Sequence, residues 1–169
     1  MRRFTMVQDI VADVDTHWKL FLDNDFDRLQ YLEGFGFPSY ELVLHRETDD
    51  EVVRNIRVTP KLDVPAAVAK VLGPRFAYVE EGTFDKKTKV WRSRMIPNIL
   101  SDRLSSDATV RVEPAGEGRS RRTCELSVEA KLFAVGGLLE SALEKNLRKG
   151  WEDSARYLNR WVERLKRAS

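Results

Sequence analysis

The stretch from Ala134 to Arg167 predicts one long helix, and this feature constrains the fold more than any other. At about 30 residues, such a helix is about 45 Å long. Apolar and small residues recur along it at spacings of three and four, which marks one face for burial. That face comprises Leu139, Leu143, Leu147, Gly150, Ser154, Leu158, Trp161 and Leu165. A helix of this kind needs an equally long apolar surface against which to pack.

The rest of the chain predicts that surface, because apolar and polar residues alternate through a series of short segments. A first strand is predicted over residues 3–11, and two short helices follow it. Six more alternating segments follow between Tyr40 and Leu132, with one helical insert at VPAAVAKVLG. Each segment has a single apolar face. The sequence therefore predicts one α+β domain over residues 1–169, a curved antiparallel seven-stranded sheet that grips the C-terminal helix.

Composition limits the possible functions. The single cysteine, Cys124, allows no intramolecular disulfide. The sequence contains neither a signal-peptide pattern nor an apolar run long enough to span a membrane, so we expect a cytoplasmic protein. The net charge of +2 does not favour nucleic-acid binding. Acidic residues are interleaved with the basic ones on the last helix, although weak attraction to anionic membranes stays open.

Signatures of metal and cofactor sites are missing. Asp23, Asp25 and Asp27 have the opening spacing of a calcium loop, but the required later glycine and glutamate do not follow, and helix capping explains the three acids better. His17 and His45 lack any metal-ligand spacing. Cys124 alternates in phase with apolar residues, which indicates a buried, inert thiol. We therefore expect neither a metal nor a cofactor.

Three stretches carry a resemblance to a known family. They are RRFTMVQDIVADVDTHWKLFLD, VTPKLDVPAAVAKVLG and LFAVGGLLESALEKNLRKGWEDSARYLNRWV. Together with the order of elements, they resemble the START, birch-pollen-allergen-like and polyketide-cyclase superfamily, and within it a bacterial START-like family, domain of unknown function 2505. The second half, from FAYVEEGTF onwards, is faintly similar to PRELI-type lipid-transfer domains. The resemblance implies a helix-grip fold with a hydrophobic cavity between sheet and helix, but no particular reaction.

The middle of the last helix is the first candidate site. Gly150 and Ser154, with Asn146 one turn before, remove bulk where the helix faces the sheet. Together with side chains of the sheet they would border a ligand cavity. The alternative is close packing, in which a large side chain fills the space beside Gly150. The sheet residues concerned in either case are Trp91, Tyr78 and Phe84.

Two charged residues alternate in phase with the apolar faces of predicted strands, namely Arg54 and Glu80. If both point inwards, they form a desolvated pair that would anchor the polar group of a ligand. The alternative, which we favour from the sequence, is a pair in water near the open end of the sheet.

The cavity mouth is predicted at apolar loops. GFGFPSY contains Phe35 and Phe37, and IPNILSD contains Ile96, Ile99 and Leu100, where polar turn residues would be expected. Exposed apolar loops often mark binding or membrane contact. The alternative is that these loops fold back on the core.

These observations predict a protein that binds, and can transfer, a lipid or other hydrophobic small molecule without catalysing a reaction. Its expected partners are that molecule and, transiently, a membrane surface; no protein partner is indicated. One alternative is a cyclase or aromatase-type enzyme in the same cavity, with Glu80, Tyr78 and Arg54 as acid or base. Another is a protein-interaction module with a filled cavity. Polar groups converging deep inside would favour the enzyme, and smooth apolar walls would favour carriage.

Overall fold

The computed structural model describes residues 1–169 and places the elements in the predicted order. The strands are β1 (Arg2–Ile10), β2 (Ser39–Glu47), β3 (Glu51–Thr59), β4 (Tyr78–Asp85), β5 (Val90–Pro97), β6 (Leu104–Pro114) and β7 (Ser120–Ala130). The helices are α1 (Val14–Phe21), α2 (Asn24–Leu29), α3 (Ala66–Leu72) and α4 (Gly136–Ala168). A π-helical turn, Gln30–Gly34, continues α2.

All seven strands form one antiparallel sheet in the order β1-β7-β6-β5-β4-β3-β2. The first strand therefore pairs with the last, and β1 and β2 are the edges. Helix α4, with 33 residues, packs across one face of this sheet. The predicted fold, a seven-stranded antiparallel sheet around a long C-terminal helix, is confirmed.

Local sequence explains the short helices. The Asp13 carboxylate accepts a hydrogen bond from the Thr16 backbone N–H at 2.7 Å and begins α1. The Asp23 carboxylate accepts one from the Phe26 N–H at 2.8 Å and begins α2. Both side chains satisfy N–H groups that lack a partner inside the helix. These caps place the two helices and the π-helical turn beside one end of the sheet.

Burial alternates along the strands because α4 covers only one face of the sheet. In β7, for example, Cys124, Leu126 and Val128 are buried while the residues between them are not. Three apolar clusters result, and α4 contributes to two of them. The larger one includes Leu139 and Leu143 from the first half of α4. The smaller one includes Leu158 and Val162 from its second half.

The apolar stripe of α4 ends earlier than predicted. Leu165 is 51% exposed, because the last turns of α4 extend beyond the core. Val162 is buried in its place, and Trp161 packs edge-on against Phe26.

No helix of the structure is both long enough and apolar enough to cross a membrane.

Candidate ligand-binding cavity

A cavity of about 300 Å³ lies between the sheet and the middle of α4. It is bordered by α4, by strands β3 to β6, by α2 with its π-helical turn, and by the segment before α3. Exposed Lys61, Asp63 and Lys149 border it where it reaches the surface. Six of the residues predicted to bind a ligand border it: Gly150, Ser154, Asn146, Tyr78, Arg54 and Glu80. That any of them contacts a ligand stays a prediction.

Gly150 faces open space. A Cβ built at this position would have no neighbouring atom within 4 Å outside the helix itself. Close packing against a large side chain, the alternative considered from the sequence, is therefore not the arrangement found. The missing side chain of Gly150 instead leaves room inside the cavity wall.

Asn146 holds the rim of the cavity in place. Its amide nitrogen donates to the Asp63 carbonyl at 2.8 Å, and its amide oxygen accepts from the Asp63 N–H at 3.0 Å. Lys145 adds a salt bridge to the Asp63 carboxylate at 2.9 Å. These contacts fix the Pro60–Asp63 segment against α4, and they already occupy the polar groups of Asn146.

Arg54 points into the protein, so the expectation of a charge pair in water is wrong for this residue. Its side chain is 4% exposed, and one guanidinium nitrogen lies 3.3 Å from the Asp27 carboxylate. Another donates to the Phe21 carbonyl at 2.8 Å. The guanidinium also lies over the rings of Phe21 and Trp91, at 5.6 and 5.2 Å from their centres. Aromatic faces and an ion pair together compensate the burial of this cation.

Glu80 reaches the same region but does not form the main ion pair with Arg54. In the β3–β4 pairing Arg54 lies opposite Gly82, whereas Glu80 lies opposite Ile56. The Glu80 carboxylate accepts one long hydrogen bond from the Tyr31 hydroxyl, at 3.5 Å. We call Asp27, Tyr31, Arg54 and Glu80 the polar cluster. All four border the cavity.

The pKa values of both acids in the polar cluster are shifted. Burial, and after it the nearby Asp27, raise the pKa of Glu80, while Arg54 and the Tyr31 hydroxyl oppose them; the net pKa is about 7. Burial also raises the pKa of Asp27, opposed by Arg54 and by Tyr40, whose hydroxyl donates to Asp27 at 2.6 Å. Two carboxyl groups thus lie near a single guanidinium in a desolvated site, and only Asp27 forms an ion pair with it. Such shifted acids are typical of functional sites.

Sequence reasoning missed Asp27. Capping accounts for Asp23, but Asp27 is buried and paired with Arg54. A signal existed, because Asp27 and Tyr31 are four residues apart and therefore share one helix face. The partner strand could not be inferred, since nothing in the sequence says that this face meets β3.

Two residues predicted near the ligand lie elsewhere. Trp91 and Phe84 are buried in the larger apolar cluster and do not border the cavity. The Trp91 ring packs closely against Gly82, where a Cβ would come within 1.9 Å of it. Phe84 packs against Trp18, with ring centres 4.6 Å apart. Both side chains fill the neighbouring part of the core.

The predicted mouth divides into two parts. Phe35 and Phe37 border the cavity, and both pack on the ring of Tyr31, at 4.9 and 5.4 Å between ring centres. The remaining three residues do not border it, which corrects that part of the prediction. Ile99 and Leu100 pack against the larger apolar cluster, and Ile96 is half-buried on β5. Their loop folds back on the core, as the alternative held.

A second buried cation, Arg122, holds part of the cavity wall in place. Arg122 is fully buried on β7 and donates to Gln8 at 2.8 Å, to the Ser154 hydroxyl at 3.2 Å and to the Trp151 carbonyl at 3.2 Å. It ties α4 to the sheet at the residues that form the cavity wall. The sequence signal for its burial was its alternation in phase with Cys124.

The Cys124 thiol is also buried. Burial raises the pKa of this thiol to about 11, which favours an inert cysteine.

Comparison with known proteins identifies the family. Residues 5–162 match the family model described as "Protein of unknown function (DUF2505)". The chain belongs to the DUF2505 family. This confirms the narrower of the resemblances found in the sequence. No curated protein matches the chain.

Solved structures confirm the fold of this DUF2505 protein. A protein from Thermus thermophilus is 22% identical, with 99% of each chain covered and a TM-score of 0.66. The Zhui aromatase/cyclase from Streptomyces sp. R1128 is 15% identical over 96% of this chain and 94% of its own, with a TM-score of 0.65. A START superfamily protein from Mycobacterium smegmatis is 14% identical over 96% and 98%, with a TM-score of 0.62. Identities this low establish the START-like fold and nothing about ligand or reaction.

Proposed function

We propose that this DUF2505 protein, acting as one domain, binds a small hydrophobic molecule in the cavity between its sheet and α4. The observation that carries the proposal is the open space in front of Gly150 within a cavity of about 300 Å³. Apolar side chains such as Phe76, Met95 and Leu147 border most of this space. The polar cluster at its deep end would fix the orientation of the molecule. A mostly apolar wall with a few placed polar groups is typical of small-molecule sites.

The volume favours a compact ligand. Small-molecule cavities typically span about 300–1,000 Å³, so this one is at the lower limit. A lipid with two acyl chains would have to leave most of its chains outside. We therefore narrow the sequence-based hypothesis from lipids in general to a single compact apolar molecule. Transfer of that molecule at a membrane surface, through Phe35 and Phe37, remains a further hypothesis.

A second candidate function is acid–base catalysis on the bound molecule. Convergence of polar groups deep in the cavity is the arrangement that favours the cyclase-like alternative over simple carriage. The specific observation is the raised pKa of Glu80, about 7, which suits proton exchange near neutral pH. Tyr78 borders the same space, and burial raises its pKa, so its hydroxyl would act as a hydrogen-bond donor rather than a base.

Binding of an environment-sensitive naphthalene dye tests the proposal. We expect saturable binding at one site per chain, with enhanced fluorescence. Replacement of Gly150 by leucine should abolish it, because the new side chain enters the cavity. Gly137 is the matched control, since it lies in the same helix, is exposed and has equally free surroundings. Equal dye binding by Gly150→Leu and Gly137→Leu would contradict the proposed site.

A further inference from the structure

The deep end of the cavity has an unbalanced set of charges. Asp27 has its cation in Arg54 at 3.3 Å and a second donor in Tyr40 at 2.6 Å. Arg54 directs another of its donors to the Phe21 carbonyl. Glu80 has only the long contact from Tyr31 at 3.5 Å and forms no salt bridge. One of the two carboxyl groups of the polar cluster therefore lacks a cation.

Aromatic side chains line the cavity in which such a cation would bind. Tyr31, Phe35, Phe37, Phe76 and Tyr78 border the same cavity as Glu80. The faces of aromatic rings attract cations, and the attraction is strongest where water is excluded. An anionic ligand would instead meet two carboxyl groups beside a guanidinium that is already engaged. The arrangement selects for positive charge.

From this geometry we propose that the ligand is an organic amine, whose ammonium group pairs with Glu80 while its apolar body occupies the cavity. This inference rests on the function proposed above. The ammonium would supply the missing cation and donate charge-assisted hydrogen bonds to the carboxylate. The body would fill the space in front of Gly150.

Pairing of an ammonium group with Glu80 makes the affinity for the ligand depend on pH, and the charged groups around Glu80 have to be considered first. The groups that face Glu80 are Asp27 on α2, Tyr31 on the π-helical turn, Arg54 on β3 and Tyr78 on β4, with Tyr40 of β2 behind Asp27. At the rim, Lys149 and Asp153 pair with each other, Asp63 pairs with Lys145, and Lys61 is exposed.

With a pKa of about 7, much of Glu80 is protonated at neutral pH before ligand binds. An ammonium ligand binds the ionised form, so its binding should release a proton. The affinity should rise about tenfold between pH 6 and pH 8, as the ionised fraction does. A neutral ligand that accepts a hydrogen bond from protonated Glu80 would show the opposite trend.

Three probes with the same apolar body separate these cases: naphthylethylamine, naphthylethanol and naphthylacetate. Their affinities for the complete chain are measured by fluorescence titration at pH 6, 7 and 8. At pH 8 we expect the amine to bind about tenfold or more tightly than the alcohol, since hydrogen bonds to charged groups are stronger. Alcohol or acetate binding as tightly as the amine would overturn the amine inference alone. Failure of all three probes to bind would overturn the proposed function as well.

Two glutamine variants locate the effect. Glu80→Gln keeps the shape of the side chain, so the alcohol should still bind, while the preference for the amine and its pH dependence disappear. Glu81→Gln changes the adjacent, exposed residue of the same strand and should leave both unchanged. Retained amine preference in Glu80→Gln would show that another group selects the ligand and would overturn the assignment. Calorimetry in buffers of different ionisation enthalpy provides an independent readout of proton release.

Discussion

Gly82 and Gly150 are both glycines on inward faces, but they have opposite effects on packing in the two parts of the core that they border. Gly82 on β4 makes room for the ring of Trp91, and a Cβ there would lie 1.9 Å from that ring. Beside Gly150 on α4, no side chain of the protein fills the space that the glycine leaves. The part of the core around Trp91 is therefore filled, and the part around Gly150 is hollow. A small residue on an inward face predicts only that its own bulk is missing; the element opposite decides what takes the space.

The largest effect is expected where the filled and hollow parts meet, at Arg54. Its guanidinium contacts the rings of Phe21 and Trp91 on one side and Asp27 on the other. Arg54→Met should lower the free energy of unfolding by about 3–5 kcal/mol, because it leaves a buried carboxylate without its cation. Chemical denaturation measures the loss.

The double variant Arg54→Met with Asp27→Leu is the control for that result. Replacing both partners of a buried pair by apolar residues is often nearly neutral, so much of the stability should return. A double variant as unstable as the single one would show that Arg54 acts through the aromatic rings rather than through Asp27.

The next effect concerns the filled part. Gly82→Ala should lower the free energy of unfolding by about 3 kcal/mol, because Trp91 has to leave its position in a tightly packed core. Thermal and chemical denaturation measure it. Trp91→Leu in the same background should recover part of the stability by clearing the space. Unchanged stability of Gly82→Ala would contradict the close contact between Gly82 and Trp91.

The sequence could predict the features that depend on local patterns, but not those that depend on contacts between distant residues. Alternation within strands and the three-to-four spacing in α4 are local, and they predicted the sheet, the helix and their order. The same periodicity put Arg54 and Glu80 on inward faces. What lay opposite each face was not local. The sequence could not show that Asp27 meets Arg54, that Trp91 covers Gly82, or that the loop with Ile99 folds onto the core.

A third prediction uses the pKa of Glu80 in the hollow part. The folded protein holds this proton more tightly than the unfolded chain, since the pKa is about 7 when folded and 4.5 is the ordinary value. The contribution to stability is thus complete below about pH 4.5 and is lost as the pH rises through 7. The free energy of unfolding should fall by about 2 kcal/mol between pH 5 and pH 7 from this group.

Glu80→Gln should flatten this part of the stability profile, and the exposed Glu81→Gln should not. Denaturant titrations at several pH values measure the slopes. Identical slopes in the parent protein and in Glu80→Gln would show that Glu80 is hydrated in the folded state. The cavity would then be wetter at its deep end than its surroundings indicate.

The smallest change in stability is expected at Gly150, although its effect on binding should be complete. Gly150→Leu places a side chain in open space, because no atom outside the helix itself lies within 4 Å of the new Cβ. Leucine also has a better helix propensity than glycine, which contributes somewhat under about 1 kcal/mol. The melting temperature should therefore stay the same or rise slightly, while binding of the naphthalene probes is lost. Gly137→Leu lies in the exposed first turn of α4, so it should gain less from helix propensity and should retain binding. Overpacking would instead lower stability by about 1–3 kcal/mol, and such a loss in Gly150→Leu but not in Gly137→Leu would mean that the core closes around Gly150 as it does around Gly82.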